Sequence, residues 1–317
     1  MLDTLLRIRL FVAVYEERSF TAAAQREHAT QSGVTQHMQK LEDHLAVKLF
    51  SRRGGSVTPT PAGDLYYRAC LNVLRAHAQA RDAVRPCAHG LSGEVLAGLT
   101  PTLTRAALAP ALASFVDEHP NVVVRVTDAY SDIVIEKVRA GELDFAIVPG
   151  LANLAGLHAE LFARTPEFVV GGARAGHGLV PGATARLAGL GPVKLVLPSQ
   201  AQARRHSLDA YLASTGVELQ QKLEIDSSSW VLDFVAQSDW LSIHPGITML
   251  RELARQDVVI CPLADPPLML ELYRIERASE PLTPEARAFL QTLQLRTQEM
   301  ARQAMALLGP GAVMPAQ

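Results

Sequence analysis

Residues 19–53 read SFTAAAQREHATQSGVTQHMQKLEDHLAVKLFSRR, and this stretch decides the fold of the N-terminal region. It contains two helical patterns that lie close together. The first runs from Thr21 to about Glu27 and follows Ser19, whose side chain can cap the free backbone N–H groups of a helix. The second runs from about Ser32 to Leu45. Because the break between them is too short for an ordinary loop, the stretch predicts a helix-turn-helix.

The second helical pattern has two contrasting faces. Helical spacing predicts a buried face made by Val34, Met38, Leu41 and Leu45. The opposite face is polar but carries a single full positive charge, and it contains Gln31, Ser32, Thr35, Gln36, Gln39 and Lys40. Such side chains suit base edges and phosphates in a major groove, which favours a helix that enters DNA. The alternative is an ordinary three-helix cluster whose polar face is only solvated.

The residues that follow this helix favour DNA. After Leu49 and Phe50, residues 51–58 form a basic, glycine-rich turn between short extended pieces. This pattern predicts a β-wing whose arginines, Arg52 and Arg53, can reach phosphate or a minor groove. We therefore interpret the region as a winged helix-turn-helix.

Four segments of this region resemble the LysR-type transcriptional regulators in order and spacing. They are Ser19–Ala24, Thr30–Thr35, Leu41-Glu42 with Leu45 to Arg53, and Thr60–Gly63. Two positions depart from that family's pattern: Glu27 stands where it usually has a core leucine, and Ala46 where it usually has glycine. The residue pattern and the resemblance together predict DNA contacts from Ser19, Thr21, Gln31, Ser32, Thr35, Gln36, Lys40, Arg52 and Arg53.

The charge of the chain is divided unevenly. Residues 1–90 carry 12 Lys/Arg and 8 Asp/Glu, a formal charge of +4, whereas the remainder carries 18 and 24, a charge of −6. A basic module fused to an acidic domain is typical of a nucleic-acid reader. No apolar run approaches the roughly 20 residues that span a bilayer, and the N-terminus lacks a secretory signal pattern. We therefore expect a soluble, cytoplasmic protein without a membrane partner.

A long helix is predicted to follow the wing. It runs from Ala62 to about Pro86, with a narrow apolar stripe of small residues that favours antiparallel pairing with a second subunit. The resemblance implies the same dimer, and a dimer of dimers in the full assembly. The domains predicted are 1–61 for the winged helix-turn-helix, 62–92 for the linker helix and hinge, and 93–308 for an effector domain, with a flexible tail over 309–317.

From Glu94 onward the sequence alternates strands and helices, which predicts an α/β fold with a parallel sheet. Two such units joined by two crossing segments, near 163–167 and 262–267, describe two Rossmann-like lobes. Lobe I would contain 93–163 and 268–308, and lobe II 164–267. This arrangement resembles the periplasmic-binding-protein-like effector domain of the LysR family, which binds small molecules between its lobes.

Polar residues at the carboxyl ends of predicted strands are the candidate effector contacts. Thr100, Pro101 and Thr102 begin the segment between the first predicted strand of this region and its helix. The hydroxyls and free N–H groups of that segment, from Thr100 to Thr104, would make an anion-binding corner. In lobe II the equivalent positions are Ser199 and Gln200, with Arg204 or Arg205 available to pair with a carboxylate. His244, at a strand end, could donate to a ligand or could be a buried core histidine. These residues suggest a small organic acid as the effector, with aromatic acids among the candidates.

The competing functions are weaker on sequence grounds. A solute-binding protein would explain the C-terminal region but not the helix-turn-helix. No G-x-S-x-G elbow, P-loop, dinucleotide fingerprint or metal-ligand spacing occurs, so we expect no catalytic residue, no metal and no cofactor. Three cysteines, Cys70, Cys87 and Cys261, leave a redox sensor as a minor alternative. The expected partners are double-stranded promoter DNA, a small-molecule effector, further copies of the chain and RNA polymerase.

Overall fold

A computed structural model describes residues 4–53, 56–84, 90–150, 156–226 and 228–308. The chain divides into two units. The first contains residues 1–90 with two short later segments, 155–158 and 276–283, and the second contains the rest. The elements of the first unit are α1 (Thr4–Glu17), α2 (Phe20–Arg26), α3 (Gln31–Leu45), β1 (Phe50–Arg53), β2 (Ser56–Pro59) and α4 (Pro61–Val84).

The helices of the first unit enclose an apolar core. Phe11 is fully buried, and its ring lies 5.3 Å from that of Phe50 at the start of the wing. Val34 and Met38 are buried on the inner face of α3, as their spacing predicts. The prediction that Leu45 is buried on the same face is wrong. This side chain is 37% exposed, because the chain leaves the helix at this residue.

Side-chain caps fix where the helices of the first unit begin. The Ala22 N–H donates to Oγ of Ser19 over 3.2 Å, which confirms the cap predicted before α2. Thr30 does the same for α3, because its Oγ1 accepts from the Gly33 N–H at 3.1 Å. A methyl group added to Gly33 would lie 2.9 Å from that oxygen, so glycine leaves room for the cap.

The C-terminal end of α3 has a left-handed residue. Ala46 has φ 52° and ψ 28°, and its N–H donates to the carbonyl oxygens of Glu42 and Asp43 at the end of the helix. Glycine is the usual residue at this position because it has no Cβ to clash with the following carbonyl. Here an alanine adopts the same conformation.

The wing and α4 join through one close contact. β1 and β2 pair antiparallel, with Phe50 opposite Pro59. The Thr60 hydroxyl donates to the carbonyl oxygen of Lys48 over 2.7 Å, and its Oγ1 accepts from the Gly63 N–H in the first turn of α4. A Cβ on Gly63 would lie 2.3 Å from the Leu49 carbonyl oxygen, so this approach requires glycine.

The second unit is an α/β domain with one sheet. Its strands are β3 (Gly93–Leu99), β4 (Val122–Asp128), β5 (Phe145–Pro149), β6 (Leu157–Gly172), β7 (Val193–Leu197), β8 (Leu219–Glu224), β9 (Leu241–Pro245), β10 (Val258–Pro262) and β11 (Met269–Arg277). Its helices are α5 (Pro101–Leu103), α6 (Ala109–Glu118), α7 (Ser131–Arg139), α8 (Ala203–Thr215), α9 (Ser228–Ala236), α10 (Gly246–Met249) and α11 (Pro284–Ala306).

The strand order is β4-β3-β5-β11-β6-β9-β7-β8, with β10 paired to β6. β3 lies parallel to β4 and β5 in lobe I, and β7 lies parallel to β8 and β9 in lobe II. The predicted parallel pairing holds for these strands but not for β6, which runs antiparallel to both β9 and β10. β10 was not predicted; the sequence indicated only a returning segment there. Buried strands such as β5 are continuous apolar runs, as sheets covered on both faces require.

A π-helical turn lies just after β3. Residues Thr104–Leu108 form it between α5 and α6. Such turns insert one residue into a helix and are frequent near functional sites. This one follows the candidate effector residues directly.

Candidate functional site

The polar face predicted on α3 lies on the surface. Gln31, Ser32, Gln36 and Lys40 are exposed, and Thr35 is half-buried. The Thr35 hydroxyl donates to the Gln31 carbonyl oxygen over 3.0 Å, so its oxygen still has a lone pair to offer. Residues at positions 31, 32, 35 and 36 belong to the first two turns of the helix. In helix-turn-helix proteins, this end of the second helix is the one that contacts base edges.

The other predicted DNA contacts have varied surroundings. Ser19 is half-buried and its oxygen is occupied as the cap of α2, whereas Thr21, in the first turn of α2, is exposed. Arg52 and Arg53 lie in β1, at the turn of the wing. Their side chains lie outside the described part of the chain.

Glu42 holds the wing against α3, a role that the sequence analysis missed. Its Oε1 accepts from the backbone N–H groups of Leu49 and Phe50 at 2.9 and 3.1 Å, and its Oε2 lies 2.8 Å from the Lys48 ammonium. Burial opposes ionisation of this carboxyl group, but the bonds from Lys48, Leu49 and Phe50 outweigh it and lower the pKa of Glu42. The sequence signal that could have indicated this role is a charged residue, Glu42, directly after the core residue Leu41.

The two lobes of the second unit enclose a cavity of about 80 Å³. Lobe I contributes Thr100, Pro101 and Thr102, and lobe II contributes Arg204 and His244, so five predicted effector residues meet there. A cavity of this size has room for several water molecules or a compact polar ligand. Ser199 and Gln200 do not line it. Gln200 faces a neighbouring depression, and its amide lies 3.3 Å from Asp209.

Thr100 has an unsatisfied hydroxyl at the lobe I side of the cavity. The residue is 5% exposed, and its Oγ1 is buried without a hydrogen-bond partner among the described residues. It precedes α5 but does not cap it. A buried hydroxyl without a partner costs free energy, so this oxygen is suited to a ligand atom.

Arg204 is already paired with a protein carboxylate. Its Nε and Nη2 donate to the two carboxylate oxygens of Glu167 at 2.6 and 2.8 Å, and Nη2 also donates to the Ile243 carbonyl oxygen. Glu167 is 1% exposed. None of these three bonds uses Nη1. Arg205, the alternative predicted for a ligand carboxylate, is buried and binds Asp209, Glu224 and the Pro198 carbonyl oxygen.

His244 forms part of the cavity floor in its neutral form. Its Nε2 lies 2.9 Å from Oγ of Ser242. Burial, followed by the charges of Arg204 and Arg105, lowers the pKa of His244 to about 3. The residue therefore combines the two predicted alternatives: it is a buried histidine, and it lines the cavity.

The cysteines that the structure describes are unsuited to redox chemistry. Cys70 and Cys261 are both buried and free. Burial raises the pKa of Cys70 to about 11 and raises the pKa of Cys261, which leaves both as unreactive thiols at neutral pH. Cys87 lies outside the described residues.

No helix within the described ranges is long and apolar enough to cross a bilayer.

Comparison with protein families matches both units. Residues 5–64 match the model of the bacterial regulatory helix-turn-helix proteins of the lysR family, and residues 88–298 match the LysR substrate binding domain. Among curated proteins, the nitrogen assimilation regulatory protein nac of Klebsiella aerogenes is 28% identical over 296 residues, which cover 90% of this chain and 93% of that protein.

Solved structures support the fold. A hydrogen peroxide-bound mutant of OxyR from Corynebacterium glutamicum covers 99% of both chains with a TM-score of 0.59 and 20% identity. Full-length CbnR complexed with its target DNA covers 93% of this chain and 99% of its own, with a TM-score of 0.55 and 22% identity. Since the two family models match residues 5–64 and 88–298, the chain belongs to the LysR family of bacterial DNA-binding transcriptional regulators.

Proposed function

We propose that α3 reads promoter DNA through the first two turns of its polar face. The observation that carries this proposal is a set of neutral hydrogen-bonding side chains on one face of a helix whose opposite face is buried. Gln31, Ser32 and Gln36 are exposed, and Thr35 between them is half-buried. Amide side chains can make paired hydrogen bonds to adenine in the major groove, and hydroxyls can bind either bases or phosphates. Lys40 binds backbone phosphate further along the helix. Ser19 and Thr21 at the start of α2, with Arg52 and Arg53 of the wing, bind neighbouring phosphates or the minor groove.

Two copies of the chain pair through α4. Its outer face exposes Leu65, Ala69, Val73 and Ala76, at spacings that form one stripe along the helix. Leu65 is 70% exposed, an unusual position for a leucine in a folded chain. Two such stripes packed together would cover this apolar surface and place two DNA-reading heads on one operator. A dimer of such dimers is the assembly proposed.

The interlobe cavity binds a small polar effector that changes how the heads engage DNA. Thr100, Pro101 and Thr102 on one side and Arg204 and His244 on the other form this site, with Ser199 and Gln200 in the adjoining loop. The proposed domains are 1–61, 62–92 and 93–308, with lobe I formed by 93–163 and 268–308, lobe II by 164–267, and a tail at 309–317. The tail and parts of the 62–92 hinge lie outside the described residues. The chain acts in the cytoplasm, without catalysis, and RNA polymerase is a further partner.

The proposal is tested by fluorescence anisotropy with full-length protein and the DNA upstream of its own gene. We expect a specific complex whose affinity falls steeply with salt, because phosphate contacts release counterions. Gln36→Ala should weaken this complex, whereas Gln291→Ala, an exposed glutamine on α11, should leave it unchanged. Arg53→Ala should weaken binding to all DNA sequences and reduce the slope of log affinity against log salt concentration by about 1. Equal binding of the promoter and an unrelated DNA would contradict the proposal.

A further inference from the structure

The cavity between the lobes contains a single cation among the lining residues that the structure describes. That cation, Arg204, faces the buried carboxylate of Glu167 in a two-bond pair, so the two residues together carry no net charge. His244 beside them is neutral because burial and the neighbouring arginines keep it deprotonated. A ligand carboxylate entering this floor would find no uncompensated positive charge to balance its own.

The mouth of the same cavity is acidic. Asp226, which follows β8 in lobe II, lines it and is exposed. Its Oδ1 accepts from the Ser199 N–H at 2.9 Å and from the Gln202 amide at 2.7 Å, and neither bond uses Oδ2. Partial burial opposes ionisation, but hydrogen bonding from the backbone and side chain of Ser199 and from the Gln202 amide outweighs it and lowers the pKa of Asp226, so the group is charged at neutral pH.

An aromatic ring lines the cavity together with Asp226. It belongs to Tyr130, two residues after Asp128, which ends β4 in lobe I opposite Leu99 in the register with β3. Burial, followed by the charges of Asp226 and Asp128, raises the pKa of Tyr130. Burial also raises the pKa of Asp128, against a hydrogen bond with Thr104 that lowers it. A charged carboxylate and an aromatic ring in one cavity attract a cation, by charge and through the ring face.

Thr100 supplies an independent indication that a ligand occupies this position. Its hydroxyl is buried, has no hydrogen-bond partner in the part of the chain that the structure describes, and belongs to the lining of the same cavity. Since a threonine oxygen can accept as well as donate, it suits an N–H donor. We propose that the effector of this regulator carries a positively charged amine that binds Oδ2 of Asp226, with Tyr130 and Thr100 around it. This inference rests on the proposed effector site and differs from the organic acid that the sequence suggests.

The test compares ligands that differ only in the polar group. Full-length protein is titrated calorimetrically with benzylamine, benzyl alcohol and benzoate, and with butylamine, 1-butanol and butyrate. We expect the amine of at least one series to bind most tightly and the acid most weakly. Asp226→Asn keeps the acceptor for Ser199 and Gln202 but removes the charge. It should weaken amine binding about 10- to 100-fold and change alcohol binding little.

Two further variants make the result decisive. Asp117→Asn removes an exposed carboxylate of α6 outside the cavity and should leave every affinity unchanged. Thr100→Val should weaken binding of the amine both in the wild-type protein and in the Asp226→Asn variant. If an acid binds as tightly as its amine and loses affinity in Thr100→Val, the ligand does bind in this cavity, but the inference that the effector is an amine is overturned. If no amine binds, the inference is also overturned. The anisotropy test of DNA binding is independent of all these outcomes.

Discussion

Replacing Ala46 with glycine should stabilise the DNA-binding unit. Ala46 ends α3 with φ 52°, a left-handed conformation in which a Cβ costs about 1–2 kcal/mol. Glycine avoids this cost, but its greater freedom in the unfolded chain offsets about 0.5–1 kcal/mol of the gain. The net expectation is a stabilisation of about 0.5–1 kcal/mol. The gain is local to the end of the DNA-reading helix, since the alanine methyl group is the only atom group removed.

The assay must report on this unit alone. Both tryptophans, Trp230 and Trp240, lie in the second unit, so their fluorescence is an internal control that should not change. Amide hydrogen exchange of peptides covering residues 34–50 reports directly on α3, and its protection should rise about 2- to 5-fold. Ala22→Gly, inside the right-handed helix α2, should instead lower protection. Unchanged or reduced protection in Ala46→Gly would refute the reasoning, because it would mean that no strain is relieved at this residue.

Substitutions at three other residues test the packing of the same unit. Gly63→Ala brings a Cβ within 2.3 Å of the Leu49 carbonyl oxygen and should destabilise the unit by about 2 kcal/mol or more, measured by hydrogen exchange. Glu42→Ala leaves two buried N–H groups without an acceptor and should cost about 1–3 kcal/mol. The pKa of Glu42 is lower in the folded protein than in the unfolded chain, where it is about 4.3. The stability that its ionised form contributes is therefore present above a pH of about 4.3 and is lost as the pH falls through the folded pKa. Glu42→Gln should flatten the acid unfolding transition seen by circular dichroism. Glu27 is paired with Arg9 over 2.7 Å, and Arg9 is 59% exposed, so Arg9→Ala should cost under about 1 kcal/mol in the same exchange assay.

Local patterns predicted the first unit well. Three features were predictable because each depends on residues only a few positions apart in the sequence. They are the cap at Ser19, the buried spacing of Val34 and Met38, and the glycine-rich wing. Leu45 was mispredicted because helical spacing says nothing about where a helix leaves its core. Glu42 was missed because its partners, Leu49 and Phe50, become neighbours only when the chain folds back after α3.

The second unit shows the limits of periodicity. Alternating strands and helices predict the α/β fold class, but the direction of each strand relative to the next depends on which strands become neighbours in the sheet. β6 pairs antiparallel with β9 and β10, which come much later in the chain, and no local signal encodes this. The site is similar: residue types at strand ends placed Thr100 and His244 in the cavity, whereas the pairing of Arg204 with Glu167 needs the tertiary structure.

Base reading by the first two turns of α3 can be tested directly. Selection of binding sites from random duplex DNA, followed by sequencing, tests it with wild type, Thr35→Ala and the double variant Gln31→Ala/Thr35→Ala. We expect Thr35→Ala to change the preference at one or two base positions. The double variant should lose about 1–3 kcal/mol of discrimination for each base contact removed. If the double variant selects the same site with the same specificity as the wild type, α3 does not read the bases and the placement of the helix in the groove is contradicted.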